Sequence, residues 1–186
     1  MGPGKILKLM KGHLNSGGRI VIAEDNRLFI DNPNDNGLTY GELEDAVSES
    51  GLLCERFYPC PDVYGMDHIF TDERLPEKDE LIKKGTEDRL CDALSEGLYQ
   101  RLCAQYLYVL SESPLEDGLI YRRYIKDRRE EFVLKTSLRR IKDGDAVFIE
   151  AGGSRGAAHI NDIFDNYKVL LEHYKGYTLQ INKCER

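Results

Sequence analysis

A helical repeat of apolar residues opens the chain. Between residues 4 and 15, apolar side chains recur at helical spacing at Ile6, Leu9, Met10 and Leu14. Gly17-Gly18 ends this helix, because glycine adopts left-handed conformations at little cost. The next residues, Arg19 to Ala23, form a short β-branched run without alternation. Such a run is typical of a strand that is covered on both faces, as in a parallel sheet.

Further apolar runs predict more helices and strands up to residue 112. Thr39 and Glu42 have the spacing of a capping box and predict a helix that Gly51 ends. Residues 52–58 are the next predicted strand, and residues 62–86 are predicted to be a long polar excursion with few core candidates. A later helix is predicted from an apolar face made of Leu90, Cys91, Leu94 and Leu98. A third strand is predicted at residues 106–110.

The last third of the chain has a different pattern. Strands are predicted at residues 119–125, 131–138 and 145–151, with a hairpin-type turn at Asp143-Gly144. A long helix follows from about Ser154 to Tyr174, and residues 179–181 begin another strand. The clearest helical stripe in the protein lies on this helix, and we expect it to be core. Its members are Ile160, Ile163, Phe164, Tyr167, Leu170, Leu171 and Tyr174.

Charge divides the chain at one point. The net charge of −7 disfavours nonspecific binding of nucleic acid. It is distributed unevenly, since residues 1–114 carry a net −9 and residues 115–186 a net +2. The change coincides with a turn signal at Ser113-Pro114. We therefore predict two segments, 1–114 and 115–186.

Cysteine usage and hydropathy bear on the compartment. The five cysteines contain no C-x-x-C pair, which favours free thiols in a reducing compartment over a zinc site. No apolar run approaches the roughly 20 residues that a membrane helix needs. The lysines near the N-terminus interrupt the apolar residues there, so no signal-peptide core is formed. These patterns predict a cytoplasmic protein without a membrane partner.

The stretch from Ile6 to Ala23 resembles a landmark of class I S-adenosylmethionine-dependent methyltransferases. In that family a helix ends in a Leu-Lys-Pro-Gly-Gly-like turn that leads into the fifth strand, and here residues 14–18 read Leu-Asn-Ser-Gly-Gly. Residues 38–52 resemble the family's next helix, and residues 53–58 its sixth strand. Residues 106–110 would then be the seventh strand, which runs antiparallel between the fifth and the sixth.

Three further segments extend the resemblance towards bacterial methyltransferase domains found together with glycosyltransferases. They are Glu24-Asp25-Asn26-Arg27, Phe57-Tyr58-Pro59-Cys60-Pro61-Asp62 and Thr71-Asp72-Glu73-Arg74-Leu75-Pro76. The resemblance implies an α/β fold: a partial doubly wound (Rossmann-like) sheet in residues 1–114, followed by a small α+β segment in residues 115–186. It leaves the methyl acceptor open, with a glycan or sugar as one candidate.

The resemblance also implies where ligands would bind. The family's glycine-rich loop and ribose-binding carboxylate should precede residue 4, so this chain alone is not expected to bind S-adenosylmethionine, the cofactor of an intact parent. Ligands of open α/β sheets lie at the carboxyl ends of strands, which makes Glu24, Asp25, Asn26 and Arg27 the predicted substrate-binding residues. The strand Arg19–Ala23 would lack a neighbour, and its edge would take a second copy or a missing N-terminal half.

Other interpretations remain open for the rest of the chain. Gly152, Gly153, Ser154 and Arg155 precede a helix and could bind an anion, or could be a turn in which Ser154 caps the helix. The basic cluster Arg122, Arg123, Lys126, Arg128 and Arg129 could contact phosphates or be a solvated strand end.

The order of elements in residues 131–174 loosely resembles a kinase-like N-lobe of sugar or aminoglycoside phosphotransferases, with Lys135 as the nearest substitute for its lysine. The function thus stands between a truncated methyltransferase, a phosphotransferase remnant and a non-catalytic fragment.

Overall fold

The computed structural model describes residues 1–29, 36–82, 88–114, 118–125 and 133–173, and within them the chain is mixed α/β. The helices are α1 (Pro3–Lys11), α2 (Tyr40–Ser50), α3 (Lys78–Ile82), α4 (Asp88–Ser95), α5 (Tyr99–Leu102) and α6 (Gly156–His173). The strands are β1 (Arg19–Asp25), β2 (Leu53–Cys60), β3 (His68–Thr71), β4 (Gln105–Ser111), β5 (Leu119–Ile125), β6 (Val133–Ile141) and β7 (Gly144–Gly152).

The seven strands form one sheet in the order β1-β4-β2-β3-β5-β6-β7, and every neighbouring pair is antiparallel. This corrects the parallel sheet that the unalternating run at Arg19 to Ala23 predicted. Insertion of β4 between β1 and β2 is the physical reason, because β1 and β2 run in the same direction without pairing with each other. The sheet also crosses the turn at Ser113-Pro114, since β5 pairs with β3. The division into two segments stays a prediction.

Local signals in the sequence correspond to local structure. Thr39 and Glu42 form the predicted capping box, in which the Thr39 side chain accepts from the Glu42 amide and the Glu42 carboxylate accepts from the Thr39 amide. Gly51 ends α2 in the left-handed region, with φ of 63°. The hairpin β6–β7 turns at residues 142–143, because Ile141 already pairs with Gly144. The predicted turn is therefore one residue out of register.

Residues 62–86 contain core that the sequence pattern did not indicate. Strand β3 lies in this range and all four of its residues are buried. Phe70 is fully buried and contacts the rings of His68, Tyr99 and Tyr121. The prediction of a polar excursion is wrong here, because four residues are too few for periodicity to separate a strand from a loop.

The main hydrophobic cluster lies on one face of the sheet. Buried side chains of the described helices α1 to α5 join one cluster with sheet residues such as Ile20, Tyr58 and Tyr108. Alternation places Val21 on the opposite face, where it is 63% exposed, so the expected burial of both faces of β1 is not found. Within the described part of the chain, the helices α1 to α5 bury their side chains on the cluster side, so we call this opposite face of β1, β4 and β2 the helix-free face.

Helix α6 does not enter that core. It packs along β7, and the described part of its stripe is only half-buried at Ile160, Ile163 and Phe164, while Tyr167 is exposed. The expectation that the stripe is core is therefore wrong for Tyr167, because α6 meets one edge strand rather than the sheet centre. The predicted strand at 179–181 lies outside the described residues, as do Cys184 and the stripe's Tyr174.

Candidate functional site

A cavity of about 260 Å³ opens at the carboxyl end of β1. It is lined by Ala23, Glu24, Asp25, Asn36, Gly37, Val63, Tyr64 and Gln105. Three parts of the chain meet there: the end of β1, the segment before α2, and the segment after β2. Gln105 joins them because β4 is antiparallel to β1, which places the first residue of β4 opposite Asp25.

Gln105 connects two walls of the cavity. Its Nε2 donates to Oδ1 of Asp25, and its Oε1 accepts from the amide of Val63 at 2.7 Å. Asp62 orders the adjoining turn, because its Oδ1 accepts from the amides of Tyr64 at 2.8 Å and Gly65 at 2.6 Å. Tyr64 is consequently held at the rim with 91% of its surface exposed. An exposed aromatic ring on an ordered turn can stack on a ligand.

The remaining polar chemistry of the cavity is dominated by acceptors. Partial burial and, second, the neighbouring Asp25 charge raise the pKa of Glu24, while a hydrogen bond from the backbone of Leu38 opposes the shift. Carboxylates accept hydrogen bonds, so the cavity suits a ligand with hydroxyl or amine donors and disfavours phosphate. Gly37 is required because a Cβ there would lie 2.3 Å from the carbonyl oxygen of Asp25.

Asn26 is placed outside the cavity. It is 1% exposed, and its Nδ2 donates to the carbonyl oxygens of Arg101 at 2.9 Å and Cys103 at 2.7 Å. Its Oδ1 accepts from the amide of Leu28 at 3.0 Å. These bonds tie the end of β1 to carbonyls at the end of α5. The expected substrate contact by Asn26 is therefore replaced by a structural role.

Arg27 also points to a structural partner. Its Nη2 lies 2.7 Å from Oε1 and 2.8 Å from Oε2 of Glu42, in the first turn of α2. Of the four predicted substrate-binding residues, the structure thus brings Glu24 and Asp25 to the cavity. The pattern missed Val63, Tyr64 and Gln105. A signal existed for Gln105 alone, because an antiparallel strand at 106–110 beside β1 begins where β1 ends.

The predicted anion-binding residues form an exposed turn at the opposite end of the sheet. Gly152, Gly153, Ser154 and Arg155 are exposed, and Gly153 adopts a φ of 83°. Helix α6 begins at Gly156, whose amide donates to the carbonyl of Gly153 at 3.1 Å. Gly152 is the last residue of the edge strand β7 and the other three follow it, whereas the cavity adjoins the other edge strand, β1. The sheet therefore keeps the two predicted sites apart.

Two of the remaining basic candidates, Lys135 and Arg122, are engaged within the sheet. Lys135 lies directly opposite Glu150 on β7 and forms an ion pair with it at 2.5 Å. Arg122 donates from Nε to the hydroxyl of Ser137 at 3.1 Å. The other members of the basic cluster that lie beyond β5, Lys126, Arg128 and Arg129, fall outside the described residues. The geometry thus gives Lys135 a cross-strand partner rather than a nucleotide site.

A second group of titratable side chains serves packing. His68 stacks on Phe70, and its Nδ1 lies 2.7 Å from the hydroxyl of Tyr121. Burial and, second, the Arg123 charge lower the pKa of His68. The guanidinium of Arg74 lies 4.2 Å from the centre of the Tyr121 ring. These contacts hold β3 against β5.

Three further observations limit the chemistry of the described part of the chain. None of its four cysteines forms a disulfide, and no group of three or more His, Cys, Asp and Glu side chains there is arranged to hold a metal. No helix within the described ranges is long and apolar enough to cross a membrane. No protein-family model, no curated protein and no solved structure matches the chain.

Proposed function

We propose that this chain carries the C-terminal half of a class I S-adenosylmethionine-dependent methyltransferase domain, whose cofactor-binding half is supplied by a longer parent protein or by a partner. The observation that carries the proposal is the position of β4, antiparallel between β1 and β2. Residues 106–110 resemble the seventh strand of that family, for which this is the position implied. The order α1–β1–α2–β2, with a glycine turn before β1 and Gly51 after α2, supports the same assignment.

The surface around β1 supports a missing half. No strand of the described part of the chain pairs with the outer edge of β1, and only the Leu38 segment meets its end, by a bridge to Asn26. The helix-free face beside this edge carries Val21 and Leu53, both exposed. In the proposed doubly wound (Rossmann-like) arrangement, the partner half adds strands to this edge and helices to this face.

The cavity is the proposed site of the methyl acceptor. It lies at the carboxyl end of β1, where open α/β sheets bind ligands. Glu24 is positioned to accept a proton from a hydroxyl or amine of the acceptor, a class that includes a glycan or sugar. The strands β5 to β7 extend the sheet beyond β3 and belong to the segment 115–186, outside the proposed half-domain. The proposal places the chain in the cytoplasm, in line with its cysteines, which form no disulfide in the described part.

The isolated chain is expected not to bind S-adenosylmethionine, because the glycine-rich loop and the ribose carboxylate belong to the other half. Calorimetric titration of residues 1–186 alone should give no binding, whereas the native parent or complex that contains both halves should bind the cofactor and release methylated product. Micromolar binding of S-adenosylmethionine by the chain alone would overturn the proposal that the cofactor-binding residues lie in the other half. A native complex that transfers no methyl group would overturn the proposed methyl transfer. The interpretation of the chain as a non-catalytic fragment would then remain.

Val21→Lys is expected to weaken association through β1. The substitution places a charge on the helix-free face beside the open edge, so the partner half, or a second copy of the purified chain, should bind at least about tenfold more weakly. Sedimentation velocity measures this. Val147→Lys is the matched control, because Val147 is also 63% exposed on an edge strand, β7, at the other end of the sheet. Equal effects of the two substitutions would contradict the proposed association through β1. A wild-type chain that stays monomeric at high concentration would contradict it as well.

A further inference from the structure

We propose that Gln105 is the positioning residue of the cavity, holding Asp25 and residues 61–65, here named the Tyr64 loop, at a fixed separation. The inference deepens the proposed acceptor site and rests on it. The side chain of Gln105 links the two walls of the cavity, with one hydrogen bond to Asp25 and one from Val63. Without it, the Tyr64 loop would remain attached to β2 and β3 but would lose its tie to β1.

The chemistry of the two partners requires an amide at position 105. Val63 offers an N–H and therefore needs an acceptor, whereas the carboxylate of Asp25 needs a donor. A glutamine side chain provides both at the same end. The backbone N–H of Val63 donates to the Gln105 side chain at 2.7 Å, so the side-chain oxygen must face Val63. The NH₂ group of Gln105 is therefore directed to Asp25.

The rest of the loop transmits this position to Tyr64. Val63 precedes Tyr64, and the Asp62 carboxylate accepts from the amides of Tyr64 and Gly65, so residues 62–65 form one hydrogen-bonded turn. The amide of Asp67 donates to the carbonyl of Cys60 at 3.0 Å and closes the base of the loop. A bond at Val63 therefore sets where the Tyr64 ring stands relative to Glu24 and Asp25.

A carboxyl group in place of the Gln105 amide gives a pH-dependent test. In Gln105→Glu, the protonated carboxyl group can still donate to Asp25 and accept from Val63, but the ionised group repels the Asp25 carboxylate. Hydrogen exchange of the Val63 amide is measured by NMR in the full chain and corrected for intrinsic exchange rates. In the wild type, the protection of this amide should stay constant with pH. In the variant, protection should fall by about tenfold as pH rises through the titration of the introduced carboxyl group.

Two further variants separate positioning from global stability. Gln105→Leu removes both hydrogen bonds without adding charge, and it should lower Val63 protection at every pH. Gln100→Glu makes the same charge change on α5 and should leave Val63 protection unchanged. Amides of Leu107 and Val109, within β4, report global unfolding. Val63 protection that Gln105→Leu leaves unchanged, or a loss of protection that the β4 amides share equally, would overturn the role of Gln105.

This test is independent of the reaction, because it uses neither cofactor nor acceptor. If Val63 responds as expected but the native complex transfers no methyl group, Gln105 keeps its positioning role and the proposed function fails. If the complex is active but Val63 does not respond, the proposed function stands and the role of Gln105 is removed.

Discussion

Replacing Asn26 with alanine is expected to lower the free energy of unfolding by about 3 kcal/mol. The substitution removes three hydrogen bonds and leaves the buried carbonyl of Cys103 and the partly buried carbonyl of Arg101 without these donors. Each unsatisfied buried group costs about 1–3 kcal/mol. For a chain of this size the melting temperature should fall by roughly 6–12 °C, measurable by calorimetry or circular dichroism.

Two variants make the Asn26 experiment specific. Asn26→Asp keeps the shape but loses the donors and sets a carboxylate against two carbonyl oxygens, so it should destabilise at least as much as alanine. Asn15→Ala is the matched control at an exposed asparagine and should change stability by less than about 0.5 kcal/mol. An Asn26→Ala protein that melts with the wild type would show that the end of β1 does not depend on this side chain.

Replacing Phe70 with alanine is expected to cost about 3–5 kcal/mol, because it removes a fully buried ring from the centre of β3. The ring contacts His68, Tyr99 and Tyr121, and the guanidinium of Arg74 lies 5.5 Å from its centre. Its loss would leave space between β3, α5 and β5. Denaturant unfolding should show a lower midpoint with little change in slope.

Phe148 supplies the control for Phe70. It lies on β7 and is 42% exposed, so Phe148→Ala removes the same number of atoms from a site that water already reaches. We expect its effect to be less than half that of Phe70→Ala, and Phe70→Leu to fall between the two. Equal destabilisation by the two alanine variants would mean that β3 is not part of the main core.

Local chemistry explains why many elements could be predicted. The T-x-x-E spacing defines α2 because both partners of the capping box lie within one turn, and Gly51 ends the helix through its own backbone freedom. β1, β2 and β4 were each indicated by apolar runs. These signals involve neighbours in sequence, so they need no knowledge of the fold. Strand β3 gave no such signal, because its burial comes from β2, β5 and α5.

The candidate site was only half predictable for the same reason. Glu24 and Asp25 were indicated by their position after a predicted strand, and both line the cavity. Asn26 and Arg27 share that position in sequence, yet their side chains turn to α5 and α2. Sequence position cannot separate the two pairs, because the separation depends on which elements surround each side chain.

The sequence by itself determined the polar end of β1 and most helices and strands of the first 112 residues. The exceptions are β3 and the short helices α3 and α5. Only the tertiary structure decided that every pair of neighbouring strands is antiparallel, that the Gln105 side chain bonds to Asp25, and that Val21 is exposed. The physical reason is that periodicity reports which side chains leave water, whereas strand order and register depend on contacts between residues far apart in the chain. Asp25 and Gln105 are 80 residues apart and meet only because β4 returns beside β1.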